Sequence, residues 1–114
     1  MRKDEDRLRD ILDAVGAIRS RVGSDRAAFD GDAMVRVWCL HHITIIGEAA
    51  TRLSEELKRK HPSAPWRMIV GMRNAVVHGY FATDWDAVWS VVERELEPLG
   101  RAVTAIFEAE GWEL

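Results

Sequence analysis

The stretch PWRMIVGMRNAVVHGYF, residues 65–81, sets five polar side chains into an otherwise apolar run, and its interpretation as a helix decides the fold class. Pro65 suits the start of a helix because no backbone N–H is needed there, and Gly79 can adopt the left-handed conformation that ends one. With Ser63 just ahead of Pro65, the stretch predicts a helix of about 14 residues over WRMIVGMRNAVVH.

The chain before this stretch carries the apolar rhythm of two further helices. A first helix is predicted over residues 4–22, where VGSD ends it. The following DRAAFDGD is predicted to be a connection with room for one short turn. Asp32 then caps a long second helix that ends at HPSAP, near Lys60.

After the stretch, the dipeptide TD at 83–84 is predicted to cap a fourth helix that continues to the carboxyl end. Pro98 is expected to kink it, since a proline inside a helix lacks one hydrogen bond and clashes with the preceding turn. Four amphipathic helices with short polar links and no predicted strand favour an all-α fold, an antiparallel up-and-down four-helix bundle. The length of 114 residues suits a single domain over residues 1–114.

The composition excludes several classes of protein. With 47% apolar and 31% charged residues, the chain is typical of neither disordered nor membrane-spanning proteins. A lone cysteine, Cys39, cannot form an intramolecular disulfide, and the charged start MRKDEDRLRD lacks the apolar core of a secretory signal, so the cytoplasm is the expected compartment. The net charge of −3 argues against nucleic-acid binding through bulk electrostatics, although a local basic patch stays open.

Arg73 is the first candidate functional residue. On a helical wheel it points at the middle of the apolar face, and the residues within about 60° of it are Ile69, Val70, Val76, Val77 and Tyr80. A guanidinium cannot lose its proton on burial, so Arg73 needs a carboxylate, a phosphate or a water-filled cleft beside it. A structural ion pair and a phosphate-binding role are both open.

His78 shares one edge of the same helix with Asn74, Gly71 and Arg67, about 100–160° round from Arg73. Either the helix unwinds at its end and swings His78 round, or a second copy completes the site across a twofold axis. Histidine moves protons near neutral pH, arginine holds phosphate oxygens, and the RNA 2′-hydroxyl supplies the nucleophile, so the pair suits phosphodiester cleavage without a metal. A structural histidine is the alternative.

The residues RNAVVHGY, 73–80, match the R-x4-H-x-Y signature of the HepT-like ribonuclease toxins, a branch of the HEPN superfamily of small helical proteins. IIGEAATRLSEEL at 45–57 and PWRMIVGMRNAVVHGYFATDWDAVW at 65–89 are also similar to that family's two most recognisable segments, in the same order and at similar separation.

The resemblance implies a metal-independent endoribonuclease without a cofactor, acting on RNA such as tRNA or mRNA as a homodimer. Arg73 and His78 from the facing third helices would meet in a composite cleft. In such enzymes His78 would be the acid/base residue, Arg73 would stabilise the phosphorane-like transition state, and Asn74 would orient the site. The expected product ends in a 2′,3′-cyclic phosphate.

The resemblance also implies a partner, an antitoxin of the MntA type, which is a minimal nucleotidyltransferase. Tyr80 matches the tyrosine to which such antitoxins add AMP, which silences the toxin. Two alternatives are a catalytically silent HEPN adaptor that binds the nucleotidyltransferase, and a purely structural helical dimer.

Two histidines and a glutamate on the second helix are further candidates. His41 and His42 point about 100° apart, so they cannot chelate one metal as a pair four residues apart would. His42 lies on the apolar side and is expected to be a hydrogen-bonded core histidine. Glu48 is the candidate carboxylate for pairing with Arg73, and a solvated surface glutamate is the alternative.

Tryptophans and a basic cluster complete the set. Trp38, Trp66, Trp85 and Trp89 are expected in the core or in a dimer interface, with base stacking as the alternative. The basic cluster follows the second helix and is a candidate for steering RNA, or else a plain solvated helix end. Its members are Lys58, Arg59 and Lys60, with Arg52 and Arg67 nearby in sequence.

Overall fold

The computed structural model describes residues 3–67, 69–71 and 83–114, and every regular element among them is a helix. The named elements are α1 (Asp4–Val22), α2 (Arg26–Asp30), α3 (Ala33–Thr51), α4 (Glu55–Lys60), α5 (Trp85–Arg94) and α6 (Leu96–Glu110). Residues 66–67 and 69–71 are also helical. The predicted all-α fold is confirmed.

The first predicted helix has the observed bounds of α1. Its acidic first turn, Asp4 to Asp6, opposes the positive end of the helix dipole, and the Lys3 N–H donates to the Asp6 carboxylate at 3.1 Å. Gly23 ends the helix with a positive φ of 53°, which favours glycine, and its N–H donates to the Arg19 carbonyl. One face, from Leu8 to Val22, is buried.

The predicted long second helix was wrong in its extent, because the chain forms α3 and α4 instead. Ser54 begins α4 as its cap, with its hydroxyl accepting from the Leu57 N–H at 3.1 Å. The Asp4 carboxylate on α1 accepts from the Ser54 N–H at 2.9 Å and from its hydroxyl. This pair of hydrogen bonds holds the chain in the turn after Thr51, and it joins positions 50 residues apart that a pattern of local periodicity cannot relate.

The predicted connection at 25–32 contains the one-turn helix α2. Asp25 caps it by accepting from the Ala27 N–H at 3.0 Å, and Phe29 is fully buried. The Phe29 ring packs against Trp85 and Trp89 of α5, with centroids 6.4 and 5.2 Å apart. The short helix α2 therefore covers one end of the hydrophobic core.

The predicted kink in the fourth helix is a break at Glu95, between α5 and α6. Pro98 is the third residue of α6, where the helix has no partner for a backbone N–H, so the missing donor costs nothing. In a continuous helix the proline ring would clash with the carbonyl of Arg94, which is the last residue of α5. The break thus lies where the proline makes a continuous helix most costly.

The helices enclose one buried cluster. α1 and α3 pack along their lengths in opposite directions, since Asp4 contacts Ser54 while Arg21 lines a cavity with Met34. α6 packs on α1, and α5 contacts both α3 and α6. The largest fully buried side chains are Phe29, Phe107, Leu8, Ile11, Ile18, Ile43, Ile46, Ile69, Leu96, Leu99 and Val88. Within the described ranges, no helix combines the length and apolar character that crossing a bilayer requires.

Candidate active site

The four signature residues, Arg73, Asn74, His78 and Tyr80, lie outside the described residues. The described residues just before them form the first turn and a half of the helix that the sequence predicts there. The Ile69 N–H donates to the Pro65 carbonyl at 3.0 Å, which is the first helical bond. The predicted helix start after Pro65 is therefore confirmed.

The burial of this helical start agrees with the wheel drawn from the sequence. Ile69, on the face assigned to the core, is fully buried, whereas Arg67 and Gly71 on the other edge are exposed. A Cβ placed on Gly71 would meet no atom within 4 Å, so the space beside this edge is open. The edge to which the sequence assigns Asn74 and His78 thus begins as an accessible surface.

Three polar contacts, together called the Glu110 clamp, fix the chain where this helix begins. The Trp66 indole N–H donates to the His61 carbonyl at 3.0 Å. From α6, Glu110 contacts the Lys60 ammonium at 3.0 Å and the His61 imidazole at 3.3 Å. The hydrogen bond from Lys60, with His61 contributing, lowers the pKa of the Glu110 carboxyl despite the opposing effect of burial.

Glu110 was missed in the sequence, and no local signal marks it. It belongs to the carboxyl-terminal helix, 49 residues beyond His61, and resembles any other glutamate of an amphipathic pattern. Only the packing of α6 against the bundle brings it to the start of the signature helix.

The predicted basic cluster is partly neutralised. The Lys58 ammonium lies 3.7 Å from Glu55, and Lys60 is paired with Glu110. Arg59 and Arg67 are exposed, and within the described part of the chain neither forms an ion pair. The cluster therefore offers fewer unpaired positive charges for steering RNA than its number of basic residues indicates.

Glu48 and His41 lie on α3 and line a shallow cavity of about 230 Å³ together with Arg7, Asp10 and Arg52. The Glu48 side chain is partly buried, and both it and Asp10 have an electrostatic or hydrogen-bonding partner. Glu48 is thus not the free surface glutamate of the alternative interpretation. Its pairing with Arg73 stays a prediction.

His42 differs from its prediction. Both ring nitrogens are shielded from solvent, and no described group is hydrogen-bonded to either, so it is not a hydrogen-bonded core histidine. Its ring packs edge-on against Trp38, with centroids 4.4 Å apart. Burial, and secondarily the neighbouring His41, lowers the pKa of His42, because a charged imidazole loses hydration there.

The tryptophans divide into two groups. Trp89 is buried, and Trp66 and Trp85 are partly buried against the core, as predicted. Trp38 is 44% exposed on α3. The single thiol, Cys39, is buried, and desolvation raises its pKa to about 11, so it lacks the thiolate character of a nucleophile.

No group of three or more His, Cys, Asp or Glu side chains in residues 3–67, 69–71 and 83–114 has an arrangement that could hold a metal ion. The described chain thus presents a helical scaffold, an anchored start of the signature helix and an open edge beside it. The described helices agree with the all-helical fold that the R-x4-H-x-Y signature predicts.

The family model described as "HepT-like: Ribonuclease HepT-like" matches residues 11–106. The chain belongs to the HepT-like ribonuclease family. Its relatives include a Thermococcus cleftensis protein named "Probable ribonuclease HepT", 30% identical over 101 residues, which cover 86% of this chain and 90% of that protein. A candidate RNase of Methanocaldococcus jannaschii is 29% identical over 100 residues, covering 87% and 92% of the two chains. No solved structure matches.

Membership in the HepT-like family confirms the prediction made from the R-x4-H-x-Y signature. The matched range includes the signature and all of α2 to α5. The chain is accordingly an endoribonuclease of the HepT-like type, and RNA is its class of substrate.

Proposed function

We propose that this HepT-like protein is a metal-independent endoribonuclease whose site is composite, with Arg73 from one chain and His78 from the other meeting at a homodimer interface. The observation that supports it is the exposed Arg67–Gly71 edge beside the buried Ile69. On a helix of this register, Arg73 follows Ile69 by one turn, and His78 follows Gly71 by two. If the helix continues in this register, one chain alone would present the two groups in different directions.

The chemistry needs no group beyond these side chains and the RNA. The 2′-hydroxyl attacks the adjacent phosphorus while His78 takes its proton, and His78 then returns that proton to the 5′-oxygen as the bond from phosphorus to that oxygen breaks. The products are a 2′,3′-cyclic phosphate and a 5′-hydroxyl end. Arg73 stabilises the negative charge that develops on the phosphorane oxygens, Asn74 orients the site, and Glu48 orients the guanidinium.

Cleavage of total RNA in the presence of a chelator tests this proposal. Arg73→Ala is expected to lower the rate by roughly 10²–10³-fold and His78→Ala by roughly 10²–10⁴-fold, since these are the usual costs of losing an oxyanion donor and a general acid/base. Arg101→Ala, which removes an exposed arginine on α6, is the matched control. Intact RNA with unmodified wild-type protein, or full activity in both site variants, would favour the silent adaptor instead.

Mixing the two inactive variants tests the composite arrangement directly. Random pairing of Arg73→Ala and His78→Ala chains makes half of the dimers mixed, and each mixed dimer has one intact site of two, so about a quarter of wild-type activity is expected. A site formed within one chain would give no recovery.

The proposal includes a partner, an antitoxin nucleotidyltransferase of the MntA type that silences the enzyme on Tyr80. The tyrosine oxygen would form a bond to the α-phosphorus of ATP, its proton would be lost, and pyrophosphate would leave. An AMP group at that position adds a negative charge and bulk next to the phosphate-binding Arg73, which opposes RNA binding.

Mass spectrometry of the protein coexpressed with its antitoxin tests the silencing. Tyr80 is the only tyrosine in the chain, so any tyrosine-linked AMP must be on it. The Tyr80→Phe variant is expected to stay unmodified and to retain ribonuclease activity in the presence of the antitoxin. An active antitoxin that leaves Tyr80 bare would contradict this part of the proposal.

A further inference from the structure

The cavity between α1 and α3 that contains Glu48 has arginines from both helices on its wall. Arg7 belongs to the start of α1, and Arg52 follows the last residue of α3. This space of about 230 Å³ is named the Arg7–Arg52 cavity, and the exposed imidazole of His41 also lines it. The packing of α1 against α3 thus brings two guanidinium groups and one imidazole to a single small space.

Both guanidinium groups lack a counterion in the fold. Within the described part of the chain, neither Arg7 nor Arg52 donates a side-chain hydrogen bond or forms an ion pair. Arg7 is nonetheless partly buried, and a guanidinium stays charged on burial because it cannot lose its proton. Arg9 shows the contrast, since its guanidinium contacts the Glu5 carboxylate at 2.8 Å. The two arginines of the cavity are therefore available to an anion from outside the fold.

Two carboxylates line the same cavity, but they are already engaged. Asp10 and Glu48 each interact with another group of the chain, and both side chains are partly buried. In the proposed function, Glu48 orients the Arg73 guanidinium. A carboxylate that is held beside a cation repels an incoming anion less than a free carboxylate does. The charged groups of the cavity without a partner are thus its arginines.

The cavity lies at the end of the bundle where the signature helix begins. The Arg9 guanidinium on α1 donates to the Glu113 carbonyl at 2.8 Å, so the start of α1 and the end of α6 lie together. The Glu110 clamp fixes the start of the signature helix at the same end. The proposed pairing of Glu48 with Arg73 makes the cavity a neighbour of the reacting site.

We propose that the Arg7–Arg52 cavity binds a backbone phosphate of the RNA substrate, other than the phosphate that is cut. Arg7 and Arg52 donate to the phosphate oxygens, and His41 contributes an imidazole N–H. Contacts of this kind fix the register of a nucleic acid without reading its sequence. The inference rests on the proposed function, because the link through Glu48 makes RNA the expected source of the phosphate.

The charge of the chain and the form of the guanidinium both favour this occupant. With a net charge of −3, the chain does not attract RNA through its total charge, so the attraction has to come from arginines whose charge is locally unpaired. A guanidinium presents a planar fork of N–H donors that matches two oxygens of a phosphate. Two such forks on one cavity suit a phosphate better than a neutral ligand.

The salt dependence of RNA binding tests the phosphate contact. In the His78→Ala background, which prevents cleavage, Arg7→Gln and Arg52→Gln are each expected to weaken binding of a single-stranded RNA about tenfold, the usual effect of losing a charge-assisted hydrogen bond. The slope of log Kd against log salt should fall by about 0.7 for each lost contact, whereas Arg7→Lys keeps the charge and most of the slope. Arg21→Gln, which removes an exposed arginine at the other end of α1, is the matched control.

The length of the substrate separates this cavity from the reacting site. A dinucleotide offers only the phosphate that is cut, so it cannot use the Arg7–Arg52 cavity. With longer RNA, Arg7→Gln and Arg52→Gln should lower kcat/KM about tenfold, mainly through KM, because the lost contact holds substrate and transition state equally. The loss should therefore grow with substrate length. Arg73→Ala, in contrast, should impair cleavage of the dinucleotide and of longer RNA alike.

The possible outcomes separate this inference from the proposed function. An unchanged affinity and salt slope in both Arg7→Gln and Arg52→Gln overturns the inference alone. Equal losses with the dinucleotide and with longer RNA also overturn it, because the arginines would then act on the reacting phosphate. Binding of inorganic phosphate or ATP that depends on both arginines, with RNA binding unaffected, overturns RNA as the occupant. A wild-type chain that shows the expected slopes but does not cut RNA overturns only the proposed function.

Discussion

At the scale of single residues, His42 shows how the fold sets the chemistry of a side chain. Its two nitrogens are shielded without a described hydrogen-bonding partner, and burial lowers its pKa below the ordinary 6.5. An unsatisfied buried polar group costs the free energy of its lost hydration. His42 therefore belongs to the packing around Trp38 and is poorly suited to acid/base catalysis, unlike an exposed histidine beside a phosphate.

The expected consequence is a dependence of stability on pH. Because the pKa of folded His42 is depressed, the unfolded chain binds more protons between that pKa and 6.5, and the free energy of unfolding falls as pH is lowered through this window. His42→Leu should raise the free energy of unfolding by about 1 kcal/mol at neutral pH and flatten this slope. Urea denaturation from about pH 8 to pH 5 measures both.

An unchanged slope in His42→Leu would mean that another group titrates in that window. A variant less stable than wild type at neutral pH would show that the imidazole is satisfied by a bound water. Either result would contradict burial of an unsatisfied imidazole as the cause of this dependence on pH.

At the scale of elements, the clamp between α6 and the start of the signature helix is the contact with the clearest functional consequence. The Glu110 carboxylate contacts the side chains of Lys60 and His61. The His61 carbonyl in turn accepts a hydrogen bond from the Trp66 indole N–H. The described start of the signature helix, residues 66–67 and 69–71, is thereby positioned by a residue of α6. Catalytic groups need to be held within fractions of an ångström, so looseness at this start should reach the chemistry.

Glu110→Ala is expected to release the clamp. Amide hydrogen exchange of residues 69–71 should become several-fold faster, and the ribonuclease rate should fall with it, while the core helices α1 and α3 keep their protection. Glu108→Ala, an exposed residue on the same helix, is the control. Because the pKa of Glu110 is lowered, wild-type protein should lose the same protection as pH falls below the ordinary value of 4.5. Unaltered exchange in Glu110→Ala would show that core burial of Ile69 alone anchors the helix.

At the scale of the whole molecule, the sequence predicted what depends on local periodicity. The all-helical class, the bounds of α1, the cap at Asp32 and the effect of Pro98 all follow from neighbouring residues. The break at Ser54 and the clamp of Glu110 depend on contacts 50 and 49 residues apart, so periodicity had no information about them. The family was recognisable because its signature is local, within residues 73–80.

The predicted basic cluster shows the same division. Counting charges in KRKH identified a cationic segment, but the carboxylates that neutralise Lys58 and Lys60 are supplied by the preceding turn and by α6. Arg59 and Arg67 are the members that keep an exposed charge. A sequence lists charges, whereas the net field on a substrate depends on how those charges are paired in space.

The Glu110 clamp has a further consequence for synthesis of the chain. His61 leaves the ribosome 49 residues before Glu110, which at about 5–20 residues per second is an interval of roughly 2–10 s. During that interval α1 and α3 can already pair, but the start of the signature helix lacks its anchor. The start of the signature helix can therefore gain this anchor only after Glu110 itself has been made.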